Sequence, residues 1–278
     1  MERRVRLKKR VAFSAVIAAV FVMAFVAALA AIEPFYPEAS GEKVYTGKSL
    51  TMDYSHCNQG YVMIKHSGSK GDMRVQILKG RTQQAVFYIF GDDTYYVYPL
   101  TLSSGEYTIN VLERVPNGAA QLMSEKITVE LTDEFSPFVV PNIYTNYTPE
   151  TRAVLKADEL FEGLTEDRDK VNAAWEYMKA NMVYDYVKAT TQKLPYHPDV
   201  DAVMDAGMGI CSDYSALFGT MLRSHGIPTQ LQHGNLKPAG NQYHAWSNVY
   251  FDGEWHLMDS TFALQEYPAS GYVLKEVH

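Results

Sequence analysis

The chain has 278 residues, 47% hydrophobic and 21% charged, with two cysteines and a formal net charge of −7. This composition excludes bulk disorder, and the length exceeds one average domain. Six cations and Glu2 fall within the first ten residues, so the remainder carries −12, an acidic balance that suits neither nucleic acid nor anionic lipid surfaces.

The six cations are Arg3, Arg4, Arg6, Lys8, Lys9 and Arg10, and residues 11–32 then run without a charge. The run is long enough to span a bilayer, and Ala28-Leu29-Ala30 offers a small-residue cleavage site. Residues 1–32 are therefore either a signal peptide or an uncleaved membrane anchor. The basic flank holds the N-terminus in the cytoplasm and sends the rest out, so the expected location is extracytoplasmic, secreted or anchored. No cysteine directly follows the run, so a lipidated-cysteine anchor does not fit.

Residues 33–42, with Pro34 and Pro37, read as a linker. Strand patterns follow at 60–66, 73–77, 85–90, 94–102, 107–115 and 121–131, separated by clusters such as Gly91-Asp92-Asp93 and Ser103-Ser104-Gly105. Period-two alternation with turns at this spacing predicts an antiparallel, Ig-like β-sandwich over 43–135. Nothing in it carries chemistry, which suits a spacer or recognition module.

The texture changes after a connector at 136–147 that contains Pro137 and Pro141. Thr148-Pro149 predicts a helix start, with a capping hydroxyl and proline at the first helical position. A second helix opens at Thr165, with Val171, Ala174, Trp175, Met178 and Met182 on one face as core. A third starts near Gly209, places Cys211, Tyr214, Ser215, Phe218 and Leu222 on one face, and ends at Gly226-Ile227-Pro228. Cys211 thus lies in a first helical turn, where the dipole and free N–H groups favour a thiolate.

Residues 227–236 predict a strand, and 243–251 and 254–261 flank Asp252-Gly253, a strong two-residue hairpin signal. That turn opposes Phe251 to Glu254, hence Trp246 to Asp259 and His244 to Thr261. His244 and Asp259 become diagonal neighbours on one face, roughly 7–8 Å apart or less at Cβ. His256 falls on the other face, opposite Val249. A three-residue loop would reverse that parity.

These residues compose a mechanism. Cys211 attacks a carbonyl, and His244 takes the thiol proton and later protonates the leaving amine. Asp259 accepts the other imidazole N–H. The backbone N–H of Cys211 supplies one oxyanion donor, an interaction worth roughly 3 kcal/mol. Asn181, Tyr184 and Gln192 are candidates for a second. No cofactor and no metal ligand is expected.

The segment Gly209-Ile210-Cys211-Ser212-Asp213-Tyr214-Ser215-Ala216-Leu217-Phe218, with Leu222 and His225-Gly226-Ile227-Pro228, resembles the nucleophile helix of the transglutaminase-like superfamily. Residues 243–250 resemble its histidine strand and 253–261 its aspartate strand. Ala174-Trp175-Glu176-Tyr177-Met178, with Asn181 and Tyr184-Asp185, is similar to its preceding helix. The resemblance spans about 148–265. It implies an α+β, papain-like transglutaminase core over 148–278, with Cys211, His244 and Asp259 as a Cys-His-Asp triad. The length after Asp259 leaves no room for the C-terminal β-barrels of animal transglutaminases, and no acidic loop matches their calcium sites. Activities in the superfamily include crosslinking, deamidation and peptide cleavage, so the implied partner is a polypeptide or a cell-envelope peptide.

Other readings stay open on sequence alone. Cys211 could be a small core residue, pair with Cys57, or ligate metal with Asp213 and a histidine; Ser212 or Ser215 could be the nucleophile instead. His56, His66, His197, His225, His233 and His278 read as surface or satisfied core groups. Trp246 and Trp255 are expected to pack near the site. A cysteine peptidase of the cell envelope and a non-catalytic scaffold are the competing functions. Oligomeric state is not legible.

Overall fold

Short β-branched and aromatic runs broken by glycine and aspartate build the first half of the computed structural model, which describes residues 35–68, 73–193, 196–262 and 267–278. The basic and apolar segment 1–32, expected as signal or anchor, lies outside the described residues. Among the described residues, no helix is long and apolar enough to cross a membrane.

Eight strands form two four-stranded antiparallel sheets. One has the order β1–β2–β3–β6, comprising Val44–Thr46, Leu50–Asp53, Tyr61–His66 and Tyr96–Pro99. The other has the order β5–β4–β7–β8, comprising Thr82–Tyr88, Met73–Lys79, Gly105–Val115 and Gly118–Val129. Alternation along β4 buries Met73, Val75 and Ile77 and leaves Arg74 and Gln76 partly exposed. Met52, Val62 and Ile64 of the first sheet and Val75, Ile77, Phe87 and Ile109 of the second belong to one hydrophobic core. Burying each such aliphatic or aromatic side chain contributes roughly 1.5–3 kcal/mol. The same core takes in Ile143, Tyr144, Val200, Ala216 and Leu231, so the β half is welded to the second half through apolar contact.

The second half has helices α1 (Arg152–Phe161), α2 (Asp167–Asn181), α3 (Tyr186–Thr191), α4 (Val200–Ala206) and α5 (Cys211–Arg223); α5 packs against the sheet β13–β12–β11–β14, and α1, α2 and α4 pack on α5. Those strands are Glu254–Met258, Gln242–Phe251, Thr229–Leu236 and Tyr272–Val277. Thr148-Pro149 does not start α1. Thr148 and Thr151 close a turn on each other, and the helix opens at Arg152, whose N–H donates to Asp201 of α4 at 2.9 Å. Of the predicted stripe of α2, Val171, Ala174 and Met178 are buried, while Trp175 and Met182 are half-buried against the same core and Met182 falls just past the helix end.

Helix α5 is not the one-faced helix its pattern suggested. Every residue from Asp213 to Arg223 is buried, because helices cover one side and β11 and β12 the other. Its last residue, Arg223, is 0% exposed and donates to the carbonyls of Val140, Thr229 and His278 and to Thr145 Oγ1, at 2.8–3.1 Å. One guanidinium therefore ties the connector and two strands to the end of α5. Its planar array of donors suits several fixed acceptors at once.

Candidate active site

Gly209 does not begin the helix. It pairs, as part of β10 (Met208–Gly209), in parallel with β9 (Val183–Tyr184), and the chain turns at Ile210 into α5. Cys211 is the first helical residue, so its N–H and those just after it have no partner within the helix. Asp213 folds back to accept the Ile210 N–H at 2.8 Å, and a Cβ on residue 209 would meet the Asp213 side chain at 2.6 Å. Glycine at 209 makes room for that carboxylate.

Asp213 is fully buried and is also bonded by Lys188 Nζ at 2.7 Å and by the Tyr196 hydroxyl. Burial, then the bond to Asp213, raises the Tyr196 phenol far above its ordinary value. This network binds α3 and the segment at Tyr196 to the first turn of α5. It also overturns the reading of Asp213 as a metal ligand with Cys211, because the carboxylate faces an ammonium. Disulfide pairing is likewise excluded: both cysteines are free, and Cys57 is buried in the β-sheet core.

The hairpin register follows from Asp252-Gly253. Asp252 at φ 54° and Gly253 at φ 84° make a left-handed two-residue turn, Phe251 opposes Glu254 and Val249 opposes His256. His256 stacks on Phe251 with ring centroids 3.9 Å apart, away from Cys211. The ladder stops at Met258, short of the predicted Thr261, and Ser260–Phe262 is a single 3₁₀ turn. His244 pairs instead with Gly234 on β11. Asp259 lies just past the ladder, where Thr261 N–H caps its Oδ1 at 3.2 Å.

His244 Nε2 bonds Asp259 Oδ2 at 2.7 Å, with both side chains 7% exposed. Nδ1 is left for the Cys211 side chain, which hydrogen-bonds His244. Burial disfavours a charged imidazole here, yet the bonds to Asp259 and Cys211 outweigh it and push His244 up to about 9.

Sequence reading missed Tyr272. Its hydroxyl donates to Asp259 Oδ2 at 2.8 Å, so Asp259 is held by a phenol as well as by the imidazole. Tyr272 starts β14 after the turn signal Pro268-Ala269-Ser270-Gly271, but no local pattern links it to Asp259. Trp246, 1% exposed, packs edge-on against Tyr272 with centroids 5.0 Å apart and anchors its indole N–H on Gln232 at 2.7 Å. The other tryptophan expected nearby, Trp255, packs instead with Phe135, Phe138 and Tyr250. Gly234 lets β14 come close: a Cβ there would lie 2.0 Å from the Val273 carbonyl oxygen. Removing only the phenol hydroxyl in Tyr272→Phe is expected to lower kcat about tenfold with KM unchanged, the loss of one charge-assisted bond. Steady-state kinetics on a peptide amide check this, and a change confined to KM would deny Tyr272 a role in positioning Asp259.

Of the three oxyanion candidates, Asn181 donates to the Tyr177 carbonyl and Gln192 to the Lys193 carbonyl, and both are exposed. Tyr184 is near enough to Cys211 to feel its charge; burial first, then Cys211, raises its phenol to about 12, so the hydroxyl keeps its proton. Ser212 Oγ faces His233 Nε2 at 3.3 Å rather than His244, and Ser215 is buried.

Residues 156–260 match the model of the transglutaminase-like superfamily. Human kyphoscoliosis peptidase is 29% identical over 129 residues, covering 42% of this chain and 19% of that protein. The mouse protein of that name is 28% identical over 113 residues, covering 37% and 17%. The chain thus spans about a fifth of the length of the curated relatives it matches. A solved structure of a candidate cysteine protease from Cytophaga hutchinsonii aligns with TM-score 0.45 and 15% identity, over 85% of this chain and 73% of that one.

Proposed function

With residues 156–260 forming an α+β domain of the transglutaminase-like superfamily, we propose that the chain is a thiol enzyme acting on peptide or glutamine amides through a Cys211 thioester. The observation that carries this is the bonded sequence Cys211–His244–Asp259 at the first turn of a buried helix. His244 Nδ1 takes the thiol proton, and sulfur bonds the amide carbon. The oxyanion is held by the Cys211 N–H and the Tyr184 hydroxyl. The C–N bond then breaks as the imidazolium returns its proton to the leaving nitrogen. Water or an amine next attacks the thioester, and the thiolate is restored.

Exposed apolar side chains flank the nucleophile: Val183 and Met208 on the paired strands before it, and Tyr186 and Val187 at the start of α3. Such a rim suits a polypeptide segment better than a small polar amide. Peptide hydrolysis is the second reading, favoured because the curated relatives are called peptidases. The Ig-like sandwich would then present substrate. The charge pattern of residues 1–32 argues for action outside the cytoplasm, with the mature N-terminus distinguishing a cleaved signal from an anchor.

The test uses glutamine-containing peptides with and without an added primary amine. Ammonia release that depends on Cys211 is the expected result, with amine incorporation marking transfer. New peptide termini without ammonia would move the assignment to the peptidase. Iodoacetamide labelling of Cys211 no faster than a small-molecule thiol, with neither product formed, would leave only a scaffold.

A further inference from the structure

His233, Glu276 and His278 form a cluster that the proposed chemistry does not use. The register makes it: His233 on β11 is paired directly with Glu276 on β14. Leu231 and His278 exchange both backbone hydrogen bonds, at 3.0 and 2.8 Å. Glu276 and His278, two apart, share a face of the pleat, and His233 stands beside Glu276 on that same face. One ligand atom from each of the three lies within 4.8 Å of the other two. His278 Nε2 is 3.6 Å from Glu276 Oε2, and the two imidazole centroids are 4.9 Å apart.

A packing role alone leaves this cluster costly. His233 is 4% exposed and His278 0%. Neither ring nitrogen of His278 has a hydrogen-bond partner, and His233 has none at Nδ1. A buried polar group without a partner costs roughly 1–3 kcal/mol. Burial of both rings favours the neutral imidazole, whose free lone pair is what a metal takes. Glu276 is 23% exposed and opens the cluster to solvent. It also bonds Tyr243, which lies parallel to His233 at 5.7 Å between centroids. Arg223 touches His278 only through the backbone carbonyl, and its positive charge makes the Glu276 carboxylate necessary to any cation bound here.

We propose that His233, Glu276 and His278 bind a divalent metal of the zinc class, as a staple between β11 and β14. Two imidazoles and a carboxylate are a recurrent zinc donor set, with bonds of about 2 Å. Small side-chain rotations draw the donors in to that distance, and water completes the shell. With His233 Nδ1 on the metal, its Nε2–H donates to Ser212 Oγ, the arrangement that orients a metal-bound imidazole. The staple acts on the site indirectly: β14 begins at Tyr272, which holds Asp259, and Ser212 adjoins Cys211. The expectation of His233 and His278 as satisfied core groups does not hold at His233 Nδ1 or at either ring nitrogen of His278, which are buried without a partner.

The probe is zinc chloride titrated calorimetrically into the chelator-stripped full chain. The expected result is one zinc per chain, unchanged in Cys211→Ser and bound at least about 100-fold more weakly in His233→Gln and His278→Gln. At a hundredfold excess over Kd, wild-type Tm should rise by roughly 5 °C or more. Glu276→Gln keeps the side-chain shape at a partly exposed position, so it reports on the metal even if a buried histidine variant does not fold. It should match wild-type Tm in chelator and lose the rise in zinc. Zinc lost in Cys211→Ser and kept in Glu276→Gln would overturn the proposal, as would binding weaker than about 10 µM in wild type.

Discussion

Replacing His244 by alanine is expected to cut amide turnover about 10⁴-fold, close to the effect of Cys211→Ala, because base and nucleophile act as one unit. In the mechanism we propose, the variant loses the group that accepts the thiol proton and later supplies it to the leaving nitrogen. Iodoacetamide labelling of Cys211 at pH 7 should slow in parallel. The imidazole also leaves a pH signature. With its folded value raised to about 9 by Asp259 and Cys211 against burial, His244 contributes stability fully below the ordinary imidazole value. That contribution is lost as pH rises through about 9. Wild type should therefore lose Tm relative to His244→Ala between about pH 6.5 and 9. Parallel melting curves across that window would refute the pairing.

Arg223→Ala carries the largest expected effect on stability, a loss of about 4 kcal/mol, or roughly 8–16 °C in Tm. The guanidinium serves four acceptors on the connector, β11 and β14 in a fully buried site. Its removal leaves three carbonyls and the Thr145 hydroxyl without that donor, and the surrounding packing admits water poorly. Arg223→Lys should recover little, because three donors on one ammonium cannot span acceptors so spread. Urea unfolding monitored by circular dichroism checks both variants. A lysine variant as stable as wild type would show that charge, not geometry, is what the site needs.

Legibility in the sequence tracked how local each signal was. The hairpin could be read because Asp252-Gly253 supplies left-handed conformations cheaply, and one turn then sets the parity of every residue around it. The register put His244 and Asp259 on one side and His256 on the other, though the ladder ends before the predicted pairing of His244 with Thr261. Tryptophans resisted this reading. Trp246 and Trp255 sit in similar strand contexts, yet one packs beside His244 and Tyr272 and the other against Phe135 and Phe138. Nothing in a strand pattern says which neighbour covers each face.

From the sequence alone came the turn, the first-turn position of Cys211, and the period-two and helical faces, each a matter of a few adjacent residues and their backbone preferences. Only the tertiary structure decided that Tyr272 supports Asp259, that Asp213 answers Lys188 instead of a metal, and that Arg223 holds three segments together. It alone gathered His233, Glu276 and His278 on one face. Several of these contacts join distant residues, 13 positions apart for Asp259 and Tyr272 and 83 for Val140 and Arg223, and their partners are selected by packing and by the need to satisfy buried polar groups. No local preference encodes that need.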